Sequence, residues 1–197
     1  WQSLWDPATD DWPSMYRHAL DNGTTRRLWK REAYAPKEMM MHFLEMEPDF
    51  VRSMFTDLFN ETKEVHSRAD RFLFFCDQLL DQYRRKYPAR NDTSHYHDDG
   101  YGIISLYLAC QYPMSYAPYD AETQRSFLQK VGAANVPLAG DFPRHVKLMP
   151  TLYKFLSQDP ELLARHQARL LPKHFAGESL LLAFDFLHFV AREAANH

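Results

Sequence analysis

Hydrophobic residues recur at intervals of three and four positions along almost the whole chain, which is the pattern of amphipathic helices. Strict alternation of apolar and polar residues, which is typical of a half-buried strand, is scarce. Glycine is also rare, with 6 in 197 residues. The pattern therefore predicts an all-α protein, a compact single domain of roughly nine helices.

Prolines and capping residues predict where these helices begin and end. A first helix lies in DDWPSMYRHALDNG and ends at Gly23, and APKEMMMHFLEMEP and PDFVRSMFTDLFNE each follow a proline that the first helical turn tolerates. Asp120 and Asp141 are predicted N-caps of AETQRSFLQKVG and FPRHVKLMPTLYKFLS. Gly132 is the predicted left-handed stop of the former, and Pro150 is expected to kink or split the latter. DPELLARHQARLL and GESLLLAFDFLHFVAREAA complete the set.

The longest predicted helix runs from Thr62 to about Tyr87 and would extend roughly 37 Å, which makes it the spine of the domain. Its charged residues are expected to lie away from one apolar stripe, formed by Val65, Ala69, Phe72, Leu73, Cys76, Leu79, Leu80 and Tyr83. YGIISLYLACQYP is apolar almost all round, which predicts a buried central helix. The segment PMSYAPYD after it predicts an ordered aromatic loop.

The overall charge gives no reason for attraction to nucleic acid or to an anionic membrane. Lysine and arginine number 23 against 26 acidic residues, a formal charge of −3. No apolar run approaches the roughly 20 residues that cross a bilayer, so we expect no membrane partner. Contact with DNA would have to come from a local basic patch.

Cys76 and Cys110 both lie in apolar runs, where a reduced thiol behaves as a small hydrophobic side chain. We therefore expect free thiols and a cytoplasmic protein. The chain begins at Trp1 and ends in helical composition, and we expect it to be one domain of a longer protein.

The segment SHYHDDGY places His95, His97, Asp98 and Asp99 close together. A metal site needs three or four ligands, and no partner at a familiar spacing completes the set, so we predict no metal. Asp98 or Asp99 is instead expected to cap the helix Gly100–Cys110, while the histidines bond within the loop. A ligand contact by His95 or His97 is the alternative.

Catalytic motifs are otherwise missing. The sequence contains no phosphate-binding loop, no GxGxxG, no GxSxG, no HExxH and no CxxC, so we predict no catalytic residue and no cofactor in this chain. His97–Asp98 could begin the signature of a metal-dependent phosphohydrolase. That hypothesis needs further ligands, for which the candidates are His66, His166, His188 and Asp185.

Two basic runs interleaved with aromatic residues are the stronger indication of function. Cations beside aromatic rings can hold phosphates and stack bases. Solvated or acid-paired arginines at helix ends are the structural alternative. The candidate DNA contacts are Arg26, Arg27, Trp29, Lys30 and Arg31 in the first run, and Tyr83, Arg84, Arg85, Lys86 and Arg90 in the second.

Four segments in a fixed order resemble the helical leader found before the AAA+ motor in McrB-type restriction NTPases. They are RSMFTDLFNETKEVHSRADRFLFFCDQLL, HYHDDGYGIISLYLACQYPMSYAPYD, TLYKFLSQD and LLLAFDFLHFV, and the similarity extends from about Arg52 to Val190. It implies variable N-terminal helices over residues 1–50 and a leader core over residues 51–195. The closing AFDFLHFV and the interruption by Pro150 depart from the family pattern.

The resemblance implies a non-catalytic targeting or regulatory domain of an antiphage NTPase. Its partner would be DNA, plain or modified, or a protein such as a nuclease subunit. The motor is absent from this chain, so NTP, Mg²⁺ and oligomer contacts are expected only on that motor. A helical protein-interaction module is the second hypothesis, and the phosphohydrolase is the third.

Overall fold

The structure is a computed structural model that describes residues 1–21, 26–30, 34–98 and 100–193. Of Arg26 and Arg27 it describes only the backbone. Ten helices make up most of this described part of the chain. Apart from one isolated bridge residue, Tyr34, these residues contain no strand, which confirms the all-α prediction. The helices are α1 (Trp12–Ala19), α2 (Arg26–Trp29), α3 (Pro36–Met46), α4 (Pro48–Leu58), α5 (Val65–Lys86), α6 (Gly102–Gln111), α7 (Ala121–Lys130), α8 (Phe142–Leu156), α9 (Pro160–Ala168) and α10 (Leu181–Arg192).

The backbone divides into two compact units, Trp1–Asp99 (unit 1) and Gly100–His197 (unit 2). None of the described helices combines the length and apolar character that a bilayer crossing requires. Both cysteines are free thiols, as predicted. The assignment of residues 1–197 to one targeting domain stays a prediction.

In unit 1, α3 packs against α1, α4 and α5, and α4 also packs against α1 and α5. Large apolar side chains on the inward faces of these helices fill the core, because their three- and four-residue spacing places them on one side of each helix. The fully buried ones include Tyr16, Met40, Phe43, Met54, Phe55 and Phe72.

Helix α5 contains 22 residues and is about 33 Å long, slightly shorter than predicted because it begins at Val65. Its predicted stripe is confirmed: six of its members are buried, and Val65 and Leu73 are half-buried. The expectation that all its charges lie elsewhere is wrong, because the Arg68 side chain is buried with only 2% exposed.

In unit 2, α10 packs against α7 and α8. Their shared core contains Ala117, Phe127, Leu128, Met149, Leu180, Ala183 and Leu187. Every residue of α6 is buried or half-buried, as its apolar sequence predicts. Tyr116 and Tyr119 of the following loop are also buried, and the Tyr119 hydroxyl accepts the N–H of Asp141 at 2.7 Å, so the aromatic loop is ordered.

Capping chemistry predicted from the sequence recurs in the structure. The Asp120 carboxylate accepts the Thr123 N–H at 2.7 Å, and that of Asp141 accepts the Arg144 N–H at 3.0 Å. Gly132 follows α7 with φ 67°, as its predicted role as a left-handed stop requires. Gly23, the predicted end of the first helix, lies outside the described residues.

Helix α8 runs without interruption from Phe142 to Leu156 although it contains Pro150. The predicted split into two helices is therefore wrong. Met149 and His145 are buried on α8, and Met149 belongs to the core of unit 2. We attribute the continuity of the helix to this burial, which offsets the hydrogen bond that proline cannot donate.

Candidate functional site

The last turn of α5 carries three consecutive exposed cations, Arg84, Arg85 and Lys86. The carbonyl groups at a helix C-terminus favour nearby positive charge, which explains locally why basic residues suit this position. Tyr87 caps the helix and is 38% exposed, and Arg90 follows in the next turn of chain. We call Arg84, Arg85, Lys86, Tyr87 and Arg90 the α5 basic end.

A hydrogen-bond network beneath this surface fixes Arg90. Its guanidinium donates to the Tyr83 hydroxyl at 2.6 Å and to Nε2 of His42 at 3.1 Å, and lies 5.6 Å from the centre of the Tyr87 ring. The Tyr83 hydroxyl donates in turn to the Asp92 carboxylate at 3.1 Å. Burial raises the pKa of Tyr83, so its hydroxyl stays protonated and the network stays intact at neutral pH.

The other cations of the α5 basic end differ in how strongly they are held. The Arg84 guanidinium donates to the carbonyls of Asp92 at 3.1 Å and Thr93 at 2.5 Å, which ties the following loop to the helix. Arg85 donates to the carbonyl of Asp81 at 3.3 Å, and Lys86 lies over the Tyr87 ring. Within the described ranges, neither Arg85 nor Lys86 has an acidic side chain as an ion-pair partner.

The first basic run is less suited to contact with nucleic acid. Lys30 forms an ion pair with Glu38 at 2.7 Å, and the Trp29 side chain is buried, with 4% exposed. The rest of the run cannot be placed in this way: Arg31 lies outside the described residues, as do the side chains of Arg26 and Arg27.

Two of the residues predicted to contact DNA, Trp29 and Tyr83, have little accessible surface. A base stacks on an accessible ring face, and the rings of both Trp29 and Tyr83 are buried in unit 1. Tyr83 instead positions Arg90 through its hydroxyl. Tyr87, which was not among the predicted contacts, is the exposed aromatic residue at the α5 basic end.

An open groove of about 620 Å³ in unit 1 is lined in part by Trp29 and Lys30 of the first basic run. Lys30 and His42 both line it, and His42 accepts a hydrogen bond from Arg90 of the second run. Both cations and acids line the groove, since Arg17 and Lys37 face it together with Asp21, Glu38 and Glu45. The groove is therefore mixed in charge, and no residue of the α5 basic end lines it.

The histidines of residues 95–98 are buried, and they bond to each other within the loop, whereas His95 also faces Asp77 on α5. The His97 backbone N–H donates to Nδ1 of His95 at 3.1 Å, which fixes the proton of His95 on Nε2, facing Asp77 at 3.2 Å. Nδ1 of His97 donates to the carbonyl of His95 at 2.6 Å. Tyr96 between them has φ 61°, a left-handed backbone conformation. With this conformation the His97 N–H faces the ring of His95, and the His95 carbonyl faces the ring of His97.

Cys76 on α5 joins these two histidines. One potential ligand atom from each of Cys76, His95 and His97 lies within 4.8 Å of the others, and all three side chains are buried. Burial lowers the pKa of His97 to about 3 and raises that of the Cys76 thiol well above its usual value. Cys76 is not recognisable as a candidate ligand in the sequence, because it matches the apolar stripe of α5 and stands at no recognised metal-ligand spacing from the histidines.

The predicted cap of α6 is only partly described. The helix begins at Gly102, two residues later than expected, because Gly100 and Tyr101 both adopt left-handed φ values of 72° and 71°. The Asp98 carboxylate accepts from the Ser94 hydroxyl at 3.5 Å. Asp99 lies outside the described residues, so capping by an aspartate stays a prediction.

The further ligands that a phosphohydrolase would need do not assemble. His66 pairs with Asp70 on α5, and Arg169 contacts both His166 and Asp185 in unit 2. In the described part of the chain, neither these residues nor His188 belong to a group of three potential metal ligands. The geometry therefore gives that hypothesis no support.

Comparison with known proteins adds no family assignment. No family model matches the chain, and no curated protein and no solved structure is significantly similar to it. The resemblance to McrB-type leaders therefore rests on the sequence motifs alone and stays a prediction.

Proposed function

We propose that this chain is a non-catalytic targeting domain of an McrB-like AAA+ restriction or antiphage protein, and that it contacts DNA with the α5 basic end. The observation that carries the proposal is the row of exposed cations in the last turn of α5 beside Tyr87 and Arg90. In this proposal, NTP, Mg²⁺ and the contacts between subunits belong to a motor domain outside this chain. The protein would act in the cytoplasm of a prokaryote.

The arrangement suits phosphate contact for two physical reasons. Arg84 and Arg90 are held by hydrogen bonds, so little side-chain entropy is lost when a phosphate binds them. Arg85 and Lys86 have no acidic partner in the described ranges, so a phosphate breaks no ion pair. Because the net charge is −3, attraction to DNA must act at short range through this patch.

A charge-reversal pair tests the proposal. We expect Arg85→Glu/Lys86→Glu to weaken DNA binding about tenfold or more and to lower the magnitude of the log–log salt slope by about 2, since two phosphate contacts are lost. Arg84 is left intact because its bonds hold the loop.

The matched control is Lys147→Glu/Lys154→Glu, which changes the net charge equally on exposed positions of α8. Fluorescence anisotropy with a labelled duplex measures both pairs. Equal weakening by the two pairs would show that only total charge matters and would remove the α5 basic end from the proposal.

Exposed aromatic residues in unit 2 favour a second candidate, binding of a protein partner such as a nuclease subunit. Phe155 of α8 is 66% exposed and Phe189 of α10 is 63% exposed, and such rings are enriched in protein interfaces. Phe155→Ser/Phe189→Ser should abolish co-elution with a co-expressed nuclease of the same defence system, whereas Leu138→Ser, at another exposed apolar position, should not. Co-elution unchanged by the double variant would remove this candidate.

A further inference from the structure

Buried sulfur and nitrogen ligands converge at one point of unit 1. We propose that Cys76, His95 and His97 bind a divalent metal ion, and that this ion is zinc. The proposal is independent of DNA binding, because the cluster is buried and includes no residue of the α5 basic end.

The distances suit a metal after a small adjustment. The three ligand atoms lie within 4.8 Å of one another, whereas the ligands of a tetrahedral zinc ion lie about 3.5 Å apart. Cys76 is fixed on a helix, and the histidines come from the short segment after Asn91 that folds back against it. A shift of about one ångström in the histidine segment would complete the contraction.

Hydrogen bonds already orient both rings in the manner of metal-bound histidines, which usually donate their second N–H to a carboxylate or a carbonyl. Nδ1 of His97 donates to the carbonyl of His95, which leaves Nε2 as the unprotonated nitrogen of that ring. Nε2 of His95 donates to Asp77, which leaves Nδ1 unprotonated. A metal ion bound at Nδ1 of His95 would replace the hydrogen bond that this nitrogen accepts here from the backbone N–H of His97.

The donor set selects the ion. One thiolate and two imidazoles suit zinc, whereas magnesium and calcium prefer oxygen ligands. Binding would release the thiol proton of Cys76 to solvent and form one metal–sulfur and two metal–nitrogen bonds, with a fourth ligand position left for water or a carboxylate. The ion would fasten residues 95–97 to the middle of α5.

Cobalt(II) substitution tests the site with the full chain, because a thiolate ligand gives cobalt a charge-transfer absorption band. Reduced, chelator-free protein should take up one equivalent of cobalt with this band, and zinc should displace it. Cys110→Ser, which removes the other cysteine, should retain the band. Cys76→Ser and Cys76→Ala should lose it while keeping the far-UV circular dichroism of a folded helical protein.

His97→Gln provides a second readout if the Cys76 variants fail to fold, since loss of one nitrogen ligand should lower the zinc affinity about tenfold or more in competition with a chromophoric chelator. Absence of the charge-transfer band in the wild-type protein would overturn the proposal and leave a neutral histidine pair packed against a thiol. A band that survives in Cys76→Ser, or disappears in Cys110→Ser, would overturn it equally.

Discussion

Arg68 is a charged residue in an environment usually reserved for apolar side chains. Its guanidinium donates to the carbonyl of Leu58 at 2.5 Å and to the Glu61 carboxylate at 2.9 Å. Leu58 is the last residue of α4, where carbonyl groups lack helical partners. Arg68 therefore joins the end of α4 and the following turn to α5.

We expect Arg68→Met to lower the free energy of unfolding of unit 1 by about 2 to 3 kcal/mol, because a buried carbonyl loses a charged donor. Arg71→Met is the control, since Arg71 is partly exposed and its partner Asp57 keeps the ion pair with Lys63. It should cost less than about 1 kcal/mol. Urea unfolding followed by circular dichroism measures both, and similar losses in the two variants would contradict this role of Arg68.

We expect His145 to make the stability of unit 2 depend on pH. Its buried ring lies 5.0 Å from that of Tyr119, and burial, aided by the charge of His188, lowers its pKa from 6.5 to about 4. Above pH 6.5 the ring is neutral in both the folded and unfolded states. Between pH 6.5 and 4 the unfolded chain binds a proton that the folded chain does not, so stability falls as the pH falls.

From pH 7 to pH 5, His145 should therefore lower the free energy of unfolding of unit 2 by about 2 kcal/mol. His145→Leu should remove this part of the pH dependence, whatever its effect on stability at pH 7. His18→Leu, at an exposed histidine of α1 in unit 1, is the control. An identical slope in wild type and His145→Leu would contradict the assignment.

At the scale of elements, Pro150 is the residue whose low helix propensity disagrees most clearly with its position in the fold. It is exposed in the interior of α8 and lacks the N–H that the helix would use. Pro150→Ala should raise the free energy of unfolding by about 1 to 3 kcal/mol, since a helical hydrogen bond is gained and no buried contact is lost.

Pro143→Ala is the matched control, because Pro143 lies in the first turn of α8, where no N–H is needed. It should change stability by less than about 0.5 kcal/mol. Thermal unfolding of both variants measures the difference. A loss of stability in Pro150→Ala would show that the path of α8 depends on the proline.

The elements were predictable wherever their ends depend on local chemistry. Asp120, Asp141 and Gly132 act through hydrogen bonds and backbone angles within a few residues, so their roles follow from the sequence. Pro150 was misjudged because buried neighbours on α8 outweigh its local effect. The late start of α6 was missed because a left-handed Tyr101 is uncommon and has no reliable sequence signal.

At the scale of the whole molecule, the candidate sites were less predictable than the helices. The basic runs are visible in the sequence, but only the packing of unit 1 shows that Trp29 and Tyr83 are buried. The approach of Cys76 to His95 and His97 likewise depends on a loop that folds back along α5. Such contacts between distant positions leave no periodic pattern in a single sequence.

The net charge of the molecule and its local cations together allow the salt dependence of DNA binding to be predicted. With a net charge of −3, binding to DNA should depend on the local cations Arg84, Arg85, Lys86 and Arg90. Four phosphate contacts correspond to a log–log salt slope of roughly −3.6 for duplex DNA and a smaller magnitude for single strands.

The most direct test is titration of the purified chain into labelled duplex and single-stranded DNA, plain and cytosine-modified, over a series of salt concentrations. We predict saturable binding to at least one form, with a duplex slope close to that of four contacts. Absence of binding at low salt would contradict DNA contact by this chain.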